Sequence, residues 1–153
     1  MRVLAIDPGT KDSAFVLFDG QQVLDHGQWG NEQLLQRLRR REFGTDTYTT
    51  VIEQVQGFGK PVGSEVFETV FWSGRFAQAS RPFDRIGRKA VKRHLCGTTT
   101  ANDAAVRAAL FARFGGFPAG FASHKFSALA VAVTWWDQQH GVPAATAVKR
   151  GAA

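Results

Sequence analysis

Val3-Leu4-Ala5-Ile6-Asp7-Pro8-Gly9 sets an apolar run, one carboxylate and two turn formers in direct succession near the start of the chain. Such a run reads as a strand that Pro-Gly terminates, so it carries Asp7 to a strand end. Ser13 to Phe18 is again β-rich, Asp19-Gly20 is a hairpin signal, and Gln21 to Trp29 can return as a third strand, which makes the opening an antiparallel meander. A second carboxylate is delivered in the same way. In Thr50-Val51-Ile52-Glu53-Gln54-Val55, Glu53 interrupts a β-branched apolar strand running from Tyr48 to Val55, and the loop Gly57-Phe58-Gly59-Lys60-Pro61 follows.

The segments between and after these strands are helical in pattern. From Asn31, read as an N-cap, to Arg41, residues Leu34, Leu35 and Leu38 recur at helical spacing and leave the arginines outside, before Gly44 stops the helix. Ser64 to Ala79 places Val66, Val70 and Phe71 on one face, widened by Phe67, Trp72 and Phe76, an apolar surface broad enough for core plus a partner. A short strand at Phe83 to Ile86 precedes a basic helix from Arg88 to Leu95. A helix from Asn102 to Phe114 repeats Val106, Leu110 and Phe114, and a glycine-rich loop from Gly115 to Ala122 leads into a last helix, Lys125 to His140. The expected class is α/β, a mixed five-stranded sheet flanked by helices, in a single domain over 1–140 with a flexible tail over 141–153.

The composition narrows the function classes. Nineteen Lys plus Arg against 13 acids give a formal charge of +6, and the cations cluster at Arg37, Arg39, Arg40, Arg41 and again from Arg81 to Arg93, which favours a polyanionic partner. The lone Cys96 forms no intrachain disulfide and no cysteine zinc site, and no apolar run approaches a membrane span, so a cytoplasmic location is expected. A phosphate-cradling loop of the Walker type fails because Pro61 follows Lys60. No Gly-x-Ser-x-Gly elbow occurs, and His26, His94, His124 and His140 lack zinc spacing.

Carboxylates at adjacent strand ends suit phosphodiester hydrolysis assisted by two metal ions, which needs hard oxygen ligands held close together. Burying Glu53 in an apolar strand costs several kcal/mol unless a cation offsets it. Asp7 before Pro-Gly has an alternative role as a turn cap, and Asp103 as a first-turn helix residue. His124, in the polar setting of Lys125 and Ser127 ahead of an Ala-Leu-Ala-Val-Ala run, is a further candidate for binding metal or positioning water.

The runs Ala5-Ile6-Asp7-Pro8-Gly9-Thr10 and Val51-Ile52-Glu53-Gln54-Val55 resemble, in letters, order and spacing, the RuvC family of Holliday junction resolvases. Val91-Lys92-Arg93, Gly97-Thr98, Asn102 to Arg107 and Ser127 to Ala132 resemble that family's last two helical segments, so the likeness covers nearly the whole chain. The resemblance implies an RNase H-like fold, a homodimer with two active sites, dependence on Mg2+ or Mn2+ with two ions per site, and nicking of four-way DNA junctions. It also implies four acidic ligands, and here the chain departs. Where bacterial members carry Asp-x-x-Asp, this sequence reads His124-Lys125-Phe126-Ser127, and Asp103 falls where they tend to have lysine. Asp103 is therefore expected to supply the third carboxylate and His124 to replace a carboxylate ligand or position the water, with Lys125 as a catalytic cation. Short phage-encoded members look similar in this helix, which suggests a phage or prophage origin.

Under that resemblance Phe58 is a candidate wedge between bases or a hydrophobic anchor for its loop. Lys60, Arg75, Arg81, Arg85, Arg88, Lys89, Lys92 and Arg93 are candidate phosphate contacts, and Phe67, Phe71 and Trp72 are expected in core and dimer contacts. The rival readings are a less selective nuclease for forks, flaps or RNA-DNA hybrids, and a junction-binding protein without chemistry.

Overall fold

The computed structural model describes residues 1–44 and 47–147. Among them the elements run β1 (Arg2–Asp7), β2 (Asp12–Phe18), β3 (Val23–Gly30), α1 (Asn31–Arg39), β4 (Tyr48–Gln54), α2 (Ser64–Ala79), β5 (Phe83–Gly87), α3 (Arg88–Cys96), α4 (Asp103–Phe114) and α5 (His124–Gln139). The sheet order is β3-β2-β1-β4-β5. The meander β1-β2-β3 is antiparallel, and β4 and β5 join it in parallel, each reached through a helix.

Central β1 is buried on both faces, and its alternation divides the core into two layers. Val3 and Ala5 pack with Val16, Phe18 and Val51 against α5, while Leu4 and Ile6 pack with Phe15, Leu17 and Ile52 against Leu34, Leu35 and Leu38 of α1 and Phe76 of α2. Helix α5 is buried from Ala128 to Trp135, because its alanines let the backbone lie close to the sheet. Each Leu, Val or Phe so enclosed contributes about 1.5–3 kcal/mol relative to an exposed position.

Three local expectations are corrected. Asn31 does not cap α1; Gly30 holds that position, and Asn31 is the first helical residue and buried. Its side chain ties the β1–β2 turn instead: Oδ1 accepts from Ser13 Oγ at 2.6 Å and Nδ2 donates to the Gly9 carbonyl at 2.9 Å. Gly9 is required there, since a Cβ would collide with the Asp12 carbonyl oxygen. Arg37 is not left outside with Arg39 and Arg40. Its guanidinium lies 4.2 Å from the Phe43 ring centroid and 4.7 Å from that of Trp29, and it donates to Asp25 at 2.7 Å, an amphipathic side chain covering the core edge. On α2 only Phe76 is buried; Trp72 is half-buried against it, whereas Phe67 and Phe71 are exposed rather than core.

Two helix boundaries differ by one residue. Asn102 is the N-cap of α4, its Oδ1 accepting from the Ala105 amide at 2.8 Å, and α5 begins at His124. Beyond α5 the Ala145 amide donates to the His94 carbonyl at 2.8 Å, which lays this part of the tail on α3; residues 148–153 lie outside the described residues. Among the described residues no helix is long and apolar enough to cross a membrane.

Candidate active site

The parallel register of β1 and β4 sets Ile6 opposite Ile52, so the next residues, Asp7 and Glu53, leave the sheet side by side. By strand alternation Asp7 continues the face of Val3 and Ala5, and Glu53 that of Val51, the face covered by α5. Both carboxylates are enclosed, with side chains 13% and 12% exposed. Burial pushes the Asp7 carboxyl up from 3.8 to about 6, against hydrogen bonding with Glu53 and the charge of Arg88. Burial, then the charge and hydrogen bonding of Asp7, push Glu53 from 4.5 to about 7 in spite of Arg88. Near neutral pH the pair therefore lacks positive charge and tends to retain a proton between its members.

Three helices begin at this point. Arg88, Asp103 and His124 are the first residues of α3, α4 and α5, so three positive dipole ends meet at the carboxylate pair. Arg88 follows β5 directly, and Gly87 lies opposite Gln54, which brings the arginine out beside Glu53. Its Nη1 donates to Glu53 Oε1 at 3.1 Å and its Nη2 donates to Asp103 Oδ1. Burial disfavours the guanidinium charge, but Glu53 and Asp103 outweigh it and raise the Arg88 pKa further. His124 Nδ1 lies 3.0 Å from Asp7 Oδ2. His124 follows Ser123, a non-glycine residue at φ 52°, a strained position that fixes how the histidine enters the helix.

A cleft of about 280 Å³ gathers Asp7, Glu53, Asp103 and His124 with two of the expected phosphate contacts, Arg88 and Lys92. Arg107, Ser123, Phe126 and Ser127 also line it, though the sequence reading gave none of them a site role. Arg107 was accessible to it, since it lies one helical turn after Asp103 and therefore on the same face. Its guanidinium sits 4.8 Å from the Phe126 ring centroid.

Other candidates lie elsewhere. Lys125 does not line this cleft; its Nζ donates to the Gly120 carbonyl at 2.8 Å. Arg81 lines a hollow with Arg41 and Tyr48 at the far end of β4, and Arg85 lies in a groove between β5 and α2. Arg75 pairs with Glu32 at 3.6 Å and covers Trp72. Phe58 is exposed, with Lys89 Nζ 5.0 Å from its ring centroid; Lys60 and Arg93 are exposed as well.

Among the described residues no three His, Cys, Asp or Glu side chains converge as a finished metal cage. Arg88 bridges Glu53 and Asp103. The Asp7–Glu53 pair nonetheless fits Mg2+, which is held by one or two carboxylates with water and substrate phosphate completing its shell. The charge deficit of the pair is of the sign a divalent cation would relieve.

No family model matches the sequence, and no curated protein does. Solved structures do match. A Thermus thermophilus RuvC structure aligns with a TM-score of 0.67 at 19% identity, covering 94% of this chain and 99% of that one. The same organism's RuvC in complex with Holliday junction substrate aligns with a TM-score of 0.63 at 19% identity, over 94% and 98%. With its mixed five-stranded sheet and flanking helices, the chain thus has the RNase H-like α/β fold of RuvC.

Proposed function

We propose that this chain is a metal-dependent endonuclease that hydrolyses branched DNA, four-way junctions foremost, and acts as a homodimer. The observation that carries the reading is the enclosed Asp7–Glu53 pair, set at adjacent parallel strand ends where three helices begin. The likeness to a RuvC bound to a Holliday junction supports the choice of substrate.

Asp7 and Glu53 would hold the ion, and a bound Mg2+ or Mn2+ supplies an activated water and neutralises charge on the phosphate. The protein's part is positioning. The helix dipoles and the cations Arg88, Lys92 and Arg107 draw a phosphodiester into the cleft. His124, held at Nδ1 by Asp7, presents Nε2 to accept a water proton. The water oxygen would bond to phosphorus as the bond to one sugar oxygen breaks, with His124 taking the water proton and the departing oxygen taking one from solvent. Exposed Phe67, Val70 and Phe71 on α2 supply an apolar surface for a second copy.

The unfinished metal cage favours one other reading, a junction-binding protein without chemistry. Labelled four-way junction, linear duplex, flap and RNA-DNA hybrid are incubated with the protein and Mg2+ or Mn2+, beside Asp7→Asn and Glu53→Gln. Metal-dependent cutting of the junction that both variants abolish is expected. Tight junction binding with no cleavage in either metal refutes the enzyme; equal cutting of flap or hybrid refutes the substrate.

A further inference from the structure

The order of charges in the cleft is unusual for a site meant to hold two metal ions. One would need a carboxylate shared with Asp7 and Glu53, and the remaining candidate, Asp103, is on the far side of an arginine. The Arg88 guanidinium spans from Glu53 Oε1 at 3.1 Å to Asp103 Oδ1, so a second ion using both carboxylates would have to displace it. Two charge-assisted bonds to a planar fork oppose that displacement. Asp103 is 74% exposed and belongs to the first turn of α4, so it has no burial cost for a metal to relieve.

Arg88 is also open to a ligand. Its side chain is 32% exposed and lines the cleft, and a guanidinium carries five donors, so the bonds from Nη1 and Nη2 leave capacity to meet a phosphate oxygen. Its backbone is fixed between β5 and α3, and its two partners fix the plane of the fork.

We infer that Arg88 is the second cation of this site: one divalent ion sits with Asp7 and Glu53, and Asp103 is a positioning residue for Arg88 rather than a metal ligand. The inference rests on the nuclease reading and revises its ligand set. Arg88 would stabilise charge on the phosphate oxygens during attack. Asp103 acts through it.

Manganese binding to the full chain is counted by electron paramagnetic resonance and calorimetry without DNA, and junction cleavage and junction affinity are measured separately. One Mn2+ per chain is expected, lost in Glu53→Gln and retained in Asp103→Asn and Arg88→Gln. Arg88→Gln is expected to lower kcat about a hundredfold or more while junction affinity falls far less, and Arg88→Lys to recover part of the loss. Asp103→Asn should lower kcat about tenfold alone and add nothing to Arg88→Gln, the signature of a residue acting through another. A second Mn2+ per chain, or an Arg88→Gln protein that folds with wild-type melting and cuts at full rate, overturns the inference and leaves the nuclease standing. A protein that binds one Mn2+, lost in Glu53→Gln and retained in Asp103→Asn and Arg88→Gln, but cuts no DNA sinks the nuclease reading and leaves only the single-ion ligand assignment standing.

Discussion

Glu53→Gln should make the metal-free protein more stable at alkaline pH, although it removes a functional carboxylate. A rise from 4.5 to about 7 means that keeping Glu53 ionised in the fold costs roughly 3 kcal/mol relative to its ordinary state. Folding thus favours the protonated form, and the wild type loses stability as pH climbs from the unfolded value of 4.5 through about 7. Glutamine copies the protonated shape without the charge. It also weakens the bond from Arg88, which is worth about 1.5–3 kcal/mol when fully enclosed and less here because Arg88 is part-exposed and keeps Asp103. The net gain at pH 8 is about 1–2 kcal/mol, or roughly 3–6 °C in Tm for a domain of this size. At pH 5 wild-type Glu53 is already protonated in the fold, and the gain should vanish. Calorimetric melting in EDTA at both pH values measures this, and Mg2+ should raise the wild-type Tm at pH 8 more than that of the variant. A variant that melts at or below wild type at pH 8 refutes the claim that the pair is short of positive charge.

Asn31→Ala removes the side chain that ties Ser13 to Gly9 and should cost about 2–3 kcal/mol in urea unfolding, since one buried and one part-buried bond are lost. Asp137→Asn tests a buried junction of α5, α4 and α3, where Arg113 donates at 2.6 and 2.9 Å and His94 Nε2 lies at 2.8 Å. Burial pushes the Asp137 carboxyl up, but those hydrogen bonds and charges hold it below its ordinary value. The variant should therefore lose about 2 kcal/mol at pH 7, discounted for a part-exposed Arg113. The gap should close as pH falls from the unfolded value of 3.8 through the lower folded-state value, where the wild-type group is neutralised. Phe71→Asp should shift a dimer to monomer in sedimentation while the far-UV circular dichroism stays that of the wild type, because the side chain is exposed. Ser123→Gly should raise Tm by about 2–4 °C by relieving the positive φ, read by calorimetry.

The strands were legible because apolar, β-rich runs and turn-forming punctuation are local signals. Asp7 and Glu53 followed from them, since a carboxylate breaking an apolar strand is visible in the letters alone. Arg88 was legible only as one cation among many. Nothing local distinguishes it from Lys89 or Arg93; its place depends on the β4–β5 register and on where α4 begins, both long-range. Lys125 was named for its place beside His124, but its Nζ turns to the Gly120 carbonyl, a contact that depends on the loop before α5. Asn31 looked like a cap because cap and first-turn positions share residue preferences, and its partner Ser13 is distant in sequence. The exposed α2 face was read as wide, but periodicity cannot say which part of a wide face the chain itself covers.

The three helix starts at the cleft give the two halves of the site different freedom to vary. Asp7 and Glu53 sit on strands whose neighbouring residues are core on both faces, so a one-residue insertion there would turn the carboxylate away and unpack the sheet together. Arg88, Asp103 and His124 occupy first helical positions, where side chains change without moving the helix behind them. Drift can exchange acid for base at such positions one at a time, so a search keyed to a full acidic set would pass over chains whose strand-borne pair is intact.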